Sequence, residues 1–298
     1  MRYIVSLSGG VSSAVAADRV IAVYGVSKVT LWFADTLIED ADLYRFLADC
    51  LKRWGNSRAA RWLMKRRKLR PDGRTMTRKI GNFIYHTEGK TPEWIAREKR
   101  IIPNQKVAPC TYELKIKPFI EWLDKLRGQG TFTICLGYNV DETHRTKKRY
   151  WWHRYNGKPR KPQGYARRFA HAHESYPLLW QPEIWDGFTI VRRWGIEIPK
   201  LYREGFSNNN CGGKCWRGGL RHWARLRVIR PKSYAHVQGF ETMMQERHGI
   251  KHTILRDQSG GAVTPMTLAT FANRVDAGEF SVKPPVFQED LFACICAY

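Results

Sequence analysis

Apolar positions recur with two different periods over the first 55 residues. Tyr3-Ile4-Val5-Ser6-Leu7 and Val29-Thr30-Leu31-Trp32-Phe33-Ala34 are near-continuous apolar runs of strand length. Between and after them, Ala14, Val15, Ala17, Val20, Ile21 and Val23, and then Leu43, Phe46, Leu47 and Cys50, repeat at helical spacing. Short buried strands alternating with amphipathic helices predict an α/β fold built on a doubly wound parallel sheet. From about Asn56 to Pro109 the pattern loosens into charged, Gly- and Pro-punctuated sequence, read as a basic insertion with short helices. The alternation resumes with a helix over Tyr112–Leu126 and a strand over Thr131–Gly137. Beyond Ser175 the spacing is mostly helical, with Thr264-Pro265 as a cap and first-turn proline and Gly278 as a stop. The expected division is an α/β domain over 1–145, then a basic aromatic loop and a helical, Cys-containing region over 146–298.

The junction of the first strand and helix reads Ser8-Gly9-Gly10-Val11-Ser12-Ser13. Glycines let backbone approach an anion, and the first helical turn offers unpaired N–H groups at the positive end of the dipole, so this turn suits a phosphate. It lacks the Lys of the Walker A loop. On doubly wound sheets ligands bind outside the carboxyl ends of the strands, where Asp35-Thr36 also falls. The candidate nucleotide-binding residues are therefore Ser6, Ser8, Gly9, Gly10, Ser12, Ser13, Asp35 and Thr36. A plain tight turn is the alternative reading.

Charge changes the picture next. The 298 residues carry a formal net charge of +24, more than solubility requires, which points to a polyanion partner. Between Arg145 and Arg168 there are ten Lys/Arg and no acid, interleaved with Tyr150, Trp151, Trp152, Tyr155 and Tyr165. Cations for phosphates beside rings for bases suit nucleic acid, DNA or RNA. A second cluster holds Arg61, Lys65, Arg66, Arg67, Lys68 and Arg70, and a third runs from Lys214 through Arg217, Arg221, Arg225, Arg227 and Arg230 to Lys232. Solvated helix faces are the bland alternative for each. No apolar run of about eighteen residues is present, so no membrane contact is expected. The opening residues show no signal-peptide pattern, and a cytoplasmic protein is expected.

Seven cysteines are an odd number with local clustering, unlike a secreted disulfide framework. Cys211 with Cys215, and Cys294 with Cys296, make two close pairs. Four converging thiolates would hold an iron–sulfur cluster or, alternatively, zinc. The last pair could instead lie in an apolar edge strand. Cys110 is a fifth candidate, whereas Cys50 and Cys135 read as ordinary core.

Taken together, several segments resemble the PAPS-reductase-like branch of the PP-loop ATP pyrophosphatase superfamily, in the form often carried by phages. They are Ser8 to Ser13, Phe33-Ala34-Asp35-Thr36, Ala108-Pro109-Cys110-Thr111 with Lys115, Leu136-Gly137 followed by Glu142 to Arg145, Asn209 to Cys215, and Cys294-Ile295-Cys296. The resemblance implies the HUP/PP-loop type of sheet, ATP or PAPS as nucleotide with Mg2+, and a host-cytoplasm setting if phage-encoded. It further implies catalytic roles for Cys110, Lys115 and Arg145, and a sulfur donor or modification proteins as partners. Two positions depart from the family pattern. Ser12 stands where the loop usually carries Asp, and the C-terminal Glu-Cys-Gly-Leu-His motif of assimilatory reductases is absent. The first expectation is accordingly an ATP-dependent adenylating or sulfur-transfer enzyme acting on nucleic acid. A sulfonucleotide reductase and a non-catalytic nucleic-acid-binding protein with structural zinc are the alternatives.

Overall fold

A computed structural model describes residues 2–66, 69–126, 129–138, 142, 172–180, 186–258 and 262–282. Its frame is a six-stranded sheet in the order β3-β4-β2-β1-β5-β6. The central strand β1 (Arg2–Ser6) pairs in parallel with β2 (Val29–Ala34) on one side and β5 (Phe132–Cys135) on the other. Outside these, β4 (Phe83–Thr87) and β6 (Ala172–Ser175) extend the parallel set, and β3 (Met76–Ile80) closes one edge antiparallel to β4. The chain steps outward from β1 through β2 to β4, then returns to the far side for β5 and β6. This Rossmann-like path puts the topological switch between β1 and β5.

Strand alternation divides the apolar side chains between two layers. Val5, Leu7, Leu31, Phe33, Phe83 and Tyr85 face α1 (Val11–Tyr24), α2 (Ala41–Arg53) and α3 (Ser57–Arg66). Ile4, Trp32, Ile84, Phe132 and Ile134 face the other way. After α4 (Pro92–Lys99), α5 covers that second face with Phe119, Trp122 and Leu123. It opens as an α-helical turn, Pro109–Thr111, passes through a π-helical segment, Tyr112–Ile116, and ends as an α-helix, Lys117–Asp124. A further core gathers Trp216, Trp223, Tyr234, Phe240 and Phe271, with Ala96 and Ile102 reaching in from the α4 region. Its walls are α6 (Leu220–Ile229), α7 (Pro231–His248) and α8 (Leu268–Asp276).

Several expectations need correction. The stretch from Asn56 to Pro109 is not an insertion, because it supplies β4, an inner strand buried at all five positions. Its mixed composition hid it, since His86 and Thr87 are polar yet satisfied inside. The sheet also continues past residue 145 through β6, and Leu178, Val191, Ile196 and Ile198 pack on the α1 layer. Thr264 and Pro265 lie in a strand, Thr264–Met266, paired with Leu255–Asp257. The helix cap is Thr267, whose side chain accepts from the Thr270 N–H, while Gly278 (φ 84°) does follow the helix end. Cys50 and Cys135 are fully buried core. Among the described residues no helix is long and apolar enough to cross a membrane.

Candidate functional site

Two loops meet beyond the carboxyl end of β1. The first is the serine–glycine turn, which is held by its own side chains. Ser13 Oγ accepts from the Ser8 N–H at 3.1 Å, lies 3.1 Å from Ser8 Oγ and donates to the Gly10 carbonyl at 2.9 Å. Gly9 sits at φ 84°, and a Cβ there would lie 2.7 Å from Leu43 Cγ, so only glycine fits. Gly10 precedes α1 without a side-chain cap, and the first turn carries no acid. The first-turn N–H groups at the positive end of the helix thus carry no side-chain cap, the condition that suits an anion. Across the switch, a Cβ on Gly137 would lie 2.8 Å from the Ser12 carbonyl oxygen, so glycine is what lets the loop after β5 close on this turn. Ser6 ends β1 opposite Trp32, and Ser12 is half-buried in the first turn.

The second loop, residues 208–215, is built from contacts distant in sequence. Asn209, buried, donates from Nδ2 to the Gly9 carbonyl at 2.9 Å, tying the two loops together. Its Oδ1 has no hydrogen-bond partner among the described residues. The backbone N–H of Cys211 donates to Glu39 Oε2. His222 Nε2 donates to the Gly213 carbonyl at 2.8 Å, and Arg230, paired with Asp40 and Glu204, reaches the Gly212 carbonyl. Cys211 itself adopts a left-handed backbone (φ 53°), a conformation a non-glycine residue keeps only under such restraint.

Glu39 organises the chemistry, and the sequence reading passed over it. Its side chain is 1% exposed; Oε1 accepts from Thr36 Oγ1 at 2.9 Å and from Lys115 Nζ at 3.4 Å. Lys115 comes from the π-helical segment, where a wider turn carries it in under the loop. Burial works against the lysine charge, but Glu39, then Cys211 and Cys215, raise its pKa, so it stays an ammonium. The two thiols are hydrogen-bonded to each other and titrate as a pair. The Cys215 thiol is lowered by its interaction with Cys211, against burial, with help from the Arg217 N–H and Lys115. Cys110 lies close enough to feel both Cys215 and Lys115; burial, then the Cys215 thiolate, raises its thiol. Three cysteines and a carboxylate–lysine pair thus share one corner of the molecule.

Asp35 is placed differently from the expectation. Its buried carboxylate accepts from Tyr44 Oη, Tyr85 Oη and the Leu37 N–H, each at 2.8 Å, and burial raises its pKa. The carboxylate holds the loop after β2 in shape, and Thr36 is turned to Glu39. A ligand on this side would meet backbone rather than either side chain. Arg145, Cys294 and Cys296 lie outside the described residues, as does the whole Arg145–Arg168 segment. Of the expected metal quartet, Cys211 and Cys215 are brought together. Among the described residues no group of three or more His, Cys, Asp and Glu side chains is gathered to hold a metal ion. The third basic cluster is partly neutralised by distant acids: Arg227 pairs with Asp276, and Arg230 with Asp40 and Glu204. No family model, no curated protein and no solved structure matches the chain.

Proposed function

We propose that the protein is a PP-loop ATP-using enzyme that activates a nucleic-acid oxygen by adenylation and exchanges it for sulfur. The observation that carries this reading is the junction itself, an uncapped glycine turn bonded through Asn209 to the loop of Cys211 and Cys215, under which Glu39 and Lys115 meet. The open end of α1 would hold the terminal phosphates, with Gly9 and Gly10 allowing close approach. Lys115 would stabilise charge that develops on the phosphates. The free acceptor on Asn209 suits a hydroxyl or N–H of the nucleoside. In the first step a target oxygen bonds to the α-phosphorus as the bond to pyrophosphate breaks. Cys215 takes the outer sulfur of a donor persulfide, releasing the donor thiol, and that sulfur attacks the activated centre as its bond to the AMP oxygen breaks. The Cys211 thiol then attacks the Cys215 sulfur, which frees the thiolated target and leaves a Cys211–Cys215 disulfide for an external dithiol to reduce. Cys215 rather than Cys110 takes that role here, because its thiol is lowered where that of Cys110 is raised. An iron–sulfur cluster or zinc would draw on Cys211 and Cys215.

Isothermal titration with ATP and with PAPS tests the reading. Wild-type protein should bind ATP, whereas Gly10→Val, whose Cβ would sit 2.9 Å from the Tyr202 hydroxyl, and Lys115→Ala should bind it at least ten-fold more weakly. Binding of PAPS but not ATP would move the assignment to sulfonucleotide reduction. Absence of binding to either nucleotide would overturn the PP-loop assignment altogether.

A further inference from the structure

The cations of α3 and β3 play no part in the site above. Helical spacing sets Arg58, Arg61, Trp62, Lys65 and Arg66 on one side of α3, away from the buried Ala59, Ala60 and Leu63. Arg58, Arg61 and Lys65 are exposed. In β3, Met76 and Ile80 pack into the layer that α3 covers, so Arg78, between them in the alternation, points the same way. The guanidinium carbons of Arg66 and Arg78 each lie 5.5 Å from the centroid of the Trp62 ring. That ring is set edge-on against Tyr85, with centroids 5.0 Å apart, and the Tyr85 hydroxyl is anchored on Asp35. Two like charges are therefore held against one ring on a rigid base.

No acid among the described residues neutralises them. No ion pair involves Arg58, Arg61, Lys65, Arg66, Arg70, Arg74 or Arg78 among the described residues. The acids on either side are otherwise engaged: Asp72 accepts from the Arg74 N–H, and Glu88 accepts from Thr75 and bonds to His86. Seven Lys/Arg fall between Arg58 and Arg70 with no acid among them. Such crowding costs self-repulsion that a polyanion relieves. A guanidinium stacked on an aromatic ring keeps its planar fork oriented, and that fork matches two phosphate oxygens at once. A charged edge strand also discourages sheet-to-sheet pairing, but that purpose needs neither the α3 stripe nor the shared ring.

We propose that Trp62, Arg66 and Arg78 form a clamp for the phosphodiester backbone, flanked by Arg58, Arg61 and Lys65. The indole carries two cations and packs on Tyr85, so it orients guanidinium groups rather than stacking on a base. The contact is with phosphate and is independent of sequence. The inference deepens the nucleic-acid part of the function proposed above and needs neither ATP nor a thiol.

Fluorescence anisotropy on a duplex and a single strand of equal length, without nucleotide, across a salt series tests it. Replacing Arg66 and Arg78 together by Gln should flatten the slope of log K against log salt by about 1.4 to 1.8, two phosphate contacts' worth. The control Lys28→Gln with Lys251→Gln removes the same charge from two other exposed positions and should leave the slope nearly unchanged. An unaltered slope in the first variant, or an equal change in both, overturns the clamp. Displacement of the nucleic acid by polyglutamate at equal charge concentration would overturn it in favour of an acidic protein partner. The anisotropy is read without nucleotide and the ATP titration without nucleic acid, so failure of the clamp and failure of the ATP chemistry are read separately.

Discussion

The serine–glycine turn and the cysteine loop touch at one hydrogen bond, yet they are stabilised in opposite ways. The turn is local: its bonds join residues two to five apart, and a strand and a helix fix its ends. The cysteine loop is shaped by partners about 170 to 200 residues away, Glu39, Asp40 and Gly9, and by His222 and Arg230 from the helices behind it. A local turn is in place once its two flanking elements form. The cysteine loop takes its shape only when the C-terminal core docks on the sheet, so the thiolate environment of Cys215 is a product of the whole tertiary structure.

Glu39 is where this difference should be largest. Glu39→Ala removes the acceptor for Thr36, for Lys115 and for the Cys211 N–H in one change. Removing one partner of a fully buried pair costs about 3–5 kcal/mol. Here the Lys115 side chain is 30% exposed and can recover water, so the expected loss is about 2–3 kcal/mol. A urea midpoint unchanged from wild type would mean that Glu39 is not the anchor of the loop. Ser13→Ala should cost less, about 1 kcal/mol, since the bonds it removes join residues that the strand and helix already hold close. Equal losses in the two variants would erase the distinction between a local and a long-range loop.

The same distinction explains what could be read along the chain. The first strand, the glycine turn and α1 were legible because their period, punctuation and chemistry lie within twenty-five consecutive residues. Strand β4 was not, since His86 and Thr87 look like surface residues until Thr77 and Glu88 are seen to satisfy the imidazole. Lys115, Cys110, Cys211 and Cys215 were legible as residue types with suitable chemistry. Glu39 was passed over because it follows Asp35-Thr36 as one more acid in a polar turn, and only the fold brings it beneath the cysteines. Asp35 was legible as a residue at the right end of the right strand, but its role was misread. Its three donors include Tyr85, fifty residues on, in the strand that the pattern concealed.

The smallest effect should be one of pH, and it isolates a single support of the cysteine loop. His222 packs in the core behind Gly213; burial lowers its pKa, against the bond to the Gly213 carbonyl, and the Arg225 charge lowers it further. In the unfolded chain a histidine takes up a proton near pH 6.5. Because the folded value is lower, the unfolded state binds more protons as the solution is acidified. The stabilisation is therefore complete above the unfolded pKa and is lost as pH falls through the folded one. His86, lowered by burial against the Glu88 bond, adds in the same direction from the other side of the sheet. Wild-type stability should then decline from pH 7 to pH 5. A glutamine at 222 can still donate an N–H to Gly213 but does not titrate. Urea midpoints at pH 7, 6 and 5 should show a shallower decline for His222→Gln, with the His86 contribution remaining. A decline as steep as wild type would mean that His222 is not held neutral behind the loop, and that some other group sets its acid sensitivity.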